Sequence, residues 1–273
     1  MGYESFYGLK FEPFANLPDP KFYFNSPQHA IAREYLMHAA RGTRGLAVLL
    51  GEIGTGKTTL VRKILAELHS SGKYQAGLLI LTHASFPAGW ILTRIGNLIG
   101  LRDFSSSPTE IISRISERLM EIRHRGERTV IIIDEANKIN GPDILEELRG
   151  LLNLEIAETR LVTFVLSGLP ELEGFLLQNK PLYQRIAIKV KLRPMGAETV
   201  KGYISHRLKI AGGTRPVFTG RALDLLARYS DGRPRLVNVL CDNALLEGYV
   251  QRKSEIDDVM IERVVLNLGL KVE

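Results

Sequence analysis

The sequence predicts an α/β fold: a three-layer domain on a parallel five-stranded sheet, followed by a small all-helical domain. Three observations predict it. A glycine-rich stretch, GEIGTGKTT (Gly51 to Thr59), follows the apolar run Leu46 to Leu50 and leads into a helix-forming segment, Thr58 to Ser70. Further β-forming runs alternate with amphipathic stretches up to about residue 194, as a parallel sheet with crossover helices requires. From Ala197 onward the strand patterns stop and only helical ones remain.

The order strand, glycine loop, helix fixes the first chemical expectation. The stretch contains G-x-x-x-x-G-K-T. In that pattern Gly51, Gly54 and Gly56 let the backbone curl until successive N–H groups, from Glu52, Ile53 and Thr55 onward, face one anion at a helix N-terminus. Lys57 would reach the β- and γ-phosphates of a nucleotide, Thr58 would give its hydroxyl to Mg²⁺, and Thr59 continues the helix. A purely structural glycine turn would not need the lysine and threonine at this spacing.

Before this loop, residues 1 to 30 are rich in aromatics and prolines, among them Tyr7, Phe14, Pro18, Pro20, Phe22 and Tyr23. Such a segment is not one helix, and it holds too many large apolar groups to stay disordered. It is expected to lie against the domain as an extended arm near the nucleotide site, where Phe22 and Tyr23 either wall the base or simply pack. Ser26 to Arg41 reads as a helix.

After the loop, Gly77 to Thr82 reads as the second strand and Trp90 to Leu101 as a helix. Ser107-Pro108-Thr109-Glu110 predicts a capping-box start for the next helix, whose buried stripe is Ile111, Ile115, Leu119 and Ile122. Val130 to Ile133 then forms a central strand ending in Asp134-Glu135. Acidic residues at the carboxyl end of such a strand suit metal and water chemistry: Asp134 would hold Mg²⁺ through its water shell, and Glu135 would orient and polarise the attacking water. Pro142 to Leu154 is amphipathic, Leu161 to Leu166 is a strand leaving at Ser167-Gly168, and Ala187 to Leu192 alternates like an edge strand. Helices are expected over Ala197 to Ile210, Gly220 to Tyr229, Pro234 to Arg252 and Asp257 to Leu268.

Composition bounds the rest. The 273 residues carry 45% hydrophobic and 24% charged side chains, ordinary for a globular protein. No apolar run approaches the roughly 20 residues of a membrane helix, and the start MGYESFYGLKFEPF lacks a secretory pattern. These point to the cytoplasm. The single cysteine, Cys241, excludes an internal disulfide and a cysteine zinc cluster. A formal charge of +6 would favour nucleic acid or an anionic surface, but Lys and Arg are spread along the chain, which equally describes a solvated surface.

Taken together, the loop, the acidic pair on a later strand, the five strands and the helical tail resemble an AAA+ ATPase. More narrowly, the chain resembles the general secretion pathway protein A (ExeA/GspA) family, with its stand-alone pilus- and transposon-type relatives. The residues carrying the likeness are Tyr7-Gly8-Leu9 with Pro13-Phe14, Pro18-Asp19-Pro20, GEIGTGKTT, IIIDEA, Leu145 to Glu155, Gly168 to Leu172, and Gly232-Arg233-Pro234-Arg235 with Asn238 to Asp242. The resemblance implies ATP and Mg²⁺ as cofactors, a nucleotide-dependent ring or helical homo-oligomer with a hexamer expected, and a helical lid. It implies that Arg185 is an arginine finger reaching a neighbouring subunit's γ-phosphate and that Arg235 reads the γ-phosphate within its own subunit, both tasks suited to a permanently charged planar guanidinium.

Some positions depart from the family pattern. Gly168-Leu169 stands where relatives carry Gly-Gln, leaving Ser167 as candidate first sensor. His83 replaces an asparagine and is placed to hydrogen-bond Glu135 or to pack neutrally. Asn137 and Lys138 alter the continuation of the acidic segment. The expected domains are an arm (1–30), an ATPase core (31–194) and a lid (195–273). The leading function is remodelling or assembly of a secretion, pilus or envelope system by a cytoplasmic ATPase, peripheral to the inner membrane through its partners. The alternatives are a DNA-associated switch resembling transposition regulators or helicase loaders, and a nucleotide-dependent scaffold without turnover. Long family members continue into a membrane helix and a periplasmic domain, and both a stand-alone protein and a piece of a longer one fit this chain.

Overall fold

Strands without polar alternation are stable only when covered on both faces, and the central strands meet that condition. The computed structural model describes residues 2–270 other than 17–18, 84–86, 103, 105–106 and 140. Pro18 of the expected Pro18-Asp19-Pro20 segment thus lies outside the described residues. In chain order the elements are α1 (Tyr3–Phe6), α2 (Pro27–Arg41), β1 (Leu46–Gly51), α3 (Lys57–Ser70), β2 (Tyr74–Ile80), α4 (Trp90–Leu98), α5 (Pro108–His124), β3 (Arg128–Asp134) and α6 (Pro142–Leu152). There follow β4 (Glu155–Ile156), β5 (Thr159–Arg160), β6 (Val162–Gly168), α7 (Glu171–Gln178), α8 (Lys180–Tyr183) and β7 (Ile186–Leu192). The last elements are α9 (Ala197–Ile210), α10 (Gly220–Tyr229), α11 (Pro234–Val250) and α12 (Asp258–Asn267).

The chain divides into two compact units: Gln28–Glu52 with Leu60–Leu192, and Met1–Pro27 with Ile53–Thr59 and Arg193–Glu273. In the first, a parallel five-stranded sheet runs β2-β3-β6-β1-β7. Every residue of β1 and β6 is buried, while β7 alternates as its edge position demands. The winding goes out from β1 to β2 on one side and ends at β7 on the other, so β1 is where it reverses. In open α/β sheets that reversal, at the carboxyl ends of the strands, is where ligands bind. Leu46, Val48 and Leu50 share one core with Ile131, Ile133, Phe164 and Leu166, and with the inner stripe of α5. Each fully buried aliphatic side chain there contributes roughly 1.5–3 kcal/mol.

Strand and helix ends shift by a few residues from the sequence reading; β2, for example, begins at Tyr74 and stops at Ile80. Ser107 and Pro108 sit at the N-cap and first position of α5, but the Ser107 side chain makes no capping bond, so the expected capping box is only half realised. The β4–β5 hairpin was not expected. Its turn residues Ala157 and Glu158 have φ of 48° and 62°, and neither is a residue type that signals a left-handed turn.

In the second unit the expected arm packs, as Tyr7, Leu9, Phe14 and Phe22 lie in one core with Ile204, Val237, Leu240 and Met260 of the C-terminal helices. A buried arginine fastens it. Arg207 on α9 is 6% exposed. Its guanidinium donates to the Pro13 carbonyl, to the Ala15 carbonyl at 3.2 Å and to the Tyr203 hydroxyl at 2.7 Å, and it lies 4.8 Å from the Phe22 ring centroid. Carbonyl dipoles and aromatic faces replace the water that a buried cation loses. The Tyr3 hydroxyl adds a bond to Asp242 at 2.5 Å and the Tyr7 hydroxyl one to the Lys253 carbonyl at 3.0 Å.

Replacing Arg207 by Ala strands two arm carbonyls and opens a cavity. Hydrogen bonds to charged groups are worth about 1.5–3 kcal/mol each, so Arg207→Ala should lower stability by about 2–4 kcal/mol and expose the arm. Limited proteolysis followed by mass spectrometry should find new cleavage between residues 10 and 25; an arm as resistant as in the wild type would disprove this role.

Candidate functional site

The glycine loop grows out of a fully buried strand of the sheet. β1 ends at buried Gly51, Glu52 and Ile53 turn outward with Ile53 61% exposed, and α3 begins at Lys57. Gly54 and Gly56 hold φ of 79° and 95°, a conformation that would cost a residue with a Cβ about 1–2 kcal/mol each. Left-handed residues alternating with ordinary ones are what turn consecutive N–H groups to one side. The first four N–H groups of α3 have no partner inside the helix, and its dipole adds roughly half a positive charge. Thr55 and Lys57 are buried and Thr58 is half-buried. This geometry fits a polyphosphate.

The loop also explains why Gly54 must be glycine. A Cβ there would stand 3.0 Å from the Cβ of Arg235, and the Arg235 N–H points to the Gly54 carbonyl at 3.4 Å. Arg235 is the second residue of α11, after Arg233 at the N-cap and Pro234 at the first position, and it is exposed. The structure therefore brings the expected sensor arginine onto the loop's backbone.

At the carboxyl end of β3, Asp134 is 1% exposed and accepts the Ser167 hydroxyl at 2.7 Å. The pairing follows from register, since Ile133 stands opposite Leu166 and puts the next residues of β3 and β6 side by side. Ser167 in turn stands opposite Leu49 of β1. No group of three or more His, Cys, Asp or Glu placed to hold a metal occurs among the described residues. One buried carboxylate suits Mg²⁺, which keeps waters and phosphate oxygens as its other ligands, better than a cation needing an all-protein cage. Glu135 is half-buried, with φ 57° and ψ 34°, and starts a short 3₁₀ turn over Ala136–Lys138. A left-handed glutamate is uncommon and costs on the order of 1–2 kcal/mol.

The remaining expected residues are placed as follows. Arg185 lies in the turn between α8 and β7, half-buried, with its guanidinium donating to the Arg149 carbonyl in the last turn of α6 at 3.2 Å. That carbonyl is at the negative end of the α6 dipole. Phe22 is 9% exposed, packed in the arm's core under Arg207. Tyr23 is half-buried, its hydroxyl 3.5 Å from Asn25 Oδ1. His83 Nδ1 is 3.0 Å from the Thr82 hydroxyl and its ring meets the edge of Trp90, with centroids 6.1 Å apart. Arg207 escaped the sequence reading, although one signal existed: it falls on the buried stripe of α9 with Val200, Tyr203, Ile204 and Leu208.

Comparison with known proteins follows the same lines. A protein-family profile described as "AAA domain" matches residues 40–176. General secretion pathway protein A of Aeromonas hydrophila is 34% identical over 257 residues, covering 93% of this chain and 46% of that protein. The chain thus spans about half the length of that curated relative. Among solved structures, the ORC2 protein of Aeropyrum pernix, in ADPNP–ADP complexes, has a TM-score of 0.68 at 17% identity, covering 93% of this chain and 71% of that one. Drosophila ORC bound to DNA has a TM-score of 0.71 at 14% identity, covering 98% and 66%. At these identities the two structures speak for the fold alone.

Proposed function

The chain belongs to the AAA domain family, and from that membership we propose that it binds and hydrolyses ATP with Mg²⁺ and couples the cycle to its own assembly. The family indicates nucleotide binding and hydrolysis in general. The observation carrying the finer reading is the GEIGTGKTT turn, with Gly54 and Gly56 in left-handed conformations between a fully buried strand and a helix N-terminus.

The roles divide by chemistry. Gly51 to Thr59 would cradle the phosphates through backbone N–H groups, and the Lys57 ammonium would balance their charge in ground and transition states alike. Thr58 and Asp134 would hold Mg²⁺, which supplies charge neutralisation at the β- and γ-phosphate oxygens. Glu135 would orient and polarise the attacking water, and Ser167, bonded to Asp134, is the candidate first sensor. Arg235 would read the γ-phosphate in its own subunit. Arg185 would complete a neighbouring subunit's site, leaving its contact with the Arg149 carbonyl to do so. Phe22 and Tyr23 would wall the base.

The relative in Aeromonas hydrophila is named for a general secretion pathway, which supports a secretion, pilus or envelope assembly as the target, with a protein partner there. Among the described residues no helix is long and apolar enough to cross a membrane, in keeping with a cytoplasmic protein peripheral to the inner membrane through partners. The second reading, an ATP-dependent DNA-associated switch, draws on the formal charge of +6; Drosophila ORC, which shares the fold, is itself bound to DNA.

Two variants test the chemistry. Lys57→Ala should abolish nucleotide binding, whereas Glu135→Gln should keep ATP bound and lower turnover by roughly 10²- to 10⁴-fold. Unchanged ATP affinity in the lysine variant would overturn the loop assignment.

Assembly is tested by mixing. An arginine finger contributes on the order of 10³-fold or more in rate, so specific activity should rise with protein concentration. Arg185→Ala subunits, with an intact loop, should regain turnover when combined with Lys57→Ala subunits, each lending the part the other lacks. Activity independent of concentration, with no recovery on mixing, would return Arg185 to a structural role.

The two readings part in sedimentation and turnover measured with and without duplex DNA at stated salt. Secretion-type remodelling predicts little DNA effect on either. Tight binding without nucleotide that weakens steeply with salt would favour the DNA switch.

A further inference from the structure

The turn behind Glu135 is tied to the residues that follow both strands flanking β3. On the β6 side, Asn137 Oδ1 accepts the backbone N–H of Leu169 at 3.1 Å. On the β2 side, Lys138 Nζ donates to the Leu81 carbonyl at 3.1 Å. The approach to β6 is close, because a Cβ on Gly168 would stand 3.0 Å from both the backbone nitrogen and Oδ1 of Asn137. Within the turn, the Lys138 N–H donates to the Glu135 carbonyl at 2.9 Å and the Ile139 N–H to the Ala136 carbonyl at 3.1 Å. Ala136 and Ile139 are buried beneath it.

From this geometry we infer that Asn137 and Lys138 are positioning residues that hold Glu135 in its left-handed conformation and so set the direction of its carboxylate. The inference rests on the reading of Glu135 as the group that polarises water. The physical reason is that the left-handed region is uphill for a glutamate and persists only where the surroundings over-determine it. Two side-chain bonds from consecutive residues, directed to opposite neighbours, prevent the turn from rotating about the axis of β3. Loosened, Glu135 would relax toward ordinary φ, swinging its Cα–Cβ bond and carrying the carboxylate off by an ångström or more. Neither Asn137 nor Lys138 needs to touch the nucleotide for this. Their loss should therefore fall on the chemical step and spare binding, whereas residues that merely satisfy the Leu169 N–H and the Leu81 carbonyl would affect stability alone.

The test uses the full chain and has two layers. Without nucleotide, NMR reads amide exchange at Leu169 and the Cα and Cβ shifts of Glu135. With nucleotide, a fluorescent ATP analogue gives affinity, and steady-state assays give kcat and KM. Asn137→Ala should speed exchange at Leu169, move the Glu135 shifts out of the left-handed range, and lower kcat roughly ten- to a hundredfold, with affinity changed by less than about twofold. Lys138→Met should move the Glu135 shifts and kcat in the same direction. Asn137→Asp keeps an acceptor and should restore protection at Leu169 and much of the turnover. Gly168→Ala leaves both positioning residues intact and pushes on Asn137 from outside, so the same Glu135 shift and the same selective loss of kcat are expected. Unchanged Glu135 shifts in both Asn137→Ala and Gly168→Ala would overturn the inference, as would a loss of affinity matching the loss of kcat. A wild type that binds ATP without turnover would instead count against hydrolysis, while the Leu169 and Glu135 signals would still decide whether the turn is held.

Discussion

A helix begins with backbone N–H groups that nothing inside it can satisfy, and this molecule is arranged around one such beginning, at Lys57. Such donors can face an anion only if the helix start is rigid and reachable at once. Rigidity comes from β1, whose six residues are all buried and which is paired on both sides, with β6 and β7. Access comes from the winding, which reverses at β1. Glycine then solves the local problem, since the chain must leave a strand, turn back on itself through left-handed residues and enter a helix within Glu52 to Gly56.

The acidic side of the chemistry shows a second use of the same sheet. Asp134 and Ser167 meet because β3 and β6 are neighbours in register, so a buried carboxylate receives a hydroxyl without any loop having to be ordered. Glu135, one residue further, has left the strand and is strained. Under the roles proposed for them the contrast would suit a division of labour: a metal-holding group can be fixed by the ladder, whereas a group that acts on water must project beyond it, and the turn that lets it project then has to be held in place. The short exit from β3 would then carry both demands on adjacent residues.

Much of this was legible in the sequence because it is local. The run Leu46 to Leu50, the loop motif, Asp134-Glu135 and the alternation of β7 each declare themselves within a few residues, and helices α9 and α10 begin and end where their patterns predict. What was not legible depends on residues far apart. Nothing near Pro13 or Ala15 announces that a side chain nearly two hundred positions later will bind their carbonyls, and an arginine on an apolar stripe reads as an error in the pattern until its partners are known. The β4–β5 hairpin hid for the opposite reason, because it is local but turns through Ala157 and Glu158, which carry no turn signal. Ser107 shows that a correct motif need not be realised in full: its position at the cap is decided by backbone geometry, and the side-chain bond is a separate matter.

The Arg207 cluster constrains how the second unit can behave. Arg207 bonds the arm's carbonyls and also reaches Asn238 Oδ1 at 3.3 Å, where it meets the Tyr203 hydroxyl, itself bonded to the same oxygen at 2.8 Å. Asn238 lies one turn along α11 from Arg235, on a rigid element whose first turn abuts Gly54. The arm, the inner face of α9 and the start of α11 are thus joined through buried polar groups that cannot be left unpaired without a cost of about 1–3 kcal/mol apiece. A shift of α11 that changes the Arg235–Gly54 approach must therefore either carry the arm along or break bonds inside a packed core. Because packed cores resist gradual deformation, the arm, α9 and α11 have reason to shift together. That makes the N-terminal aromatics part of the device that presents Arg235 to the loop, and it gives their burial a meaning beyond filling space.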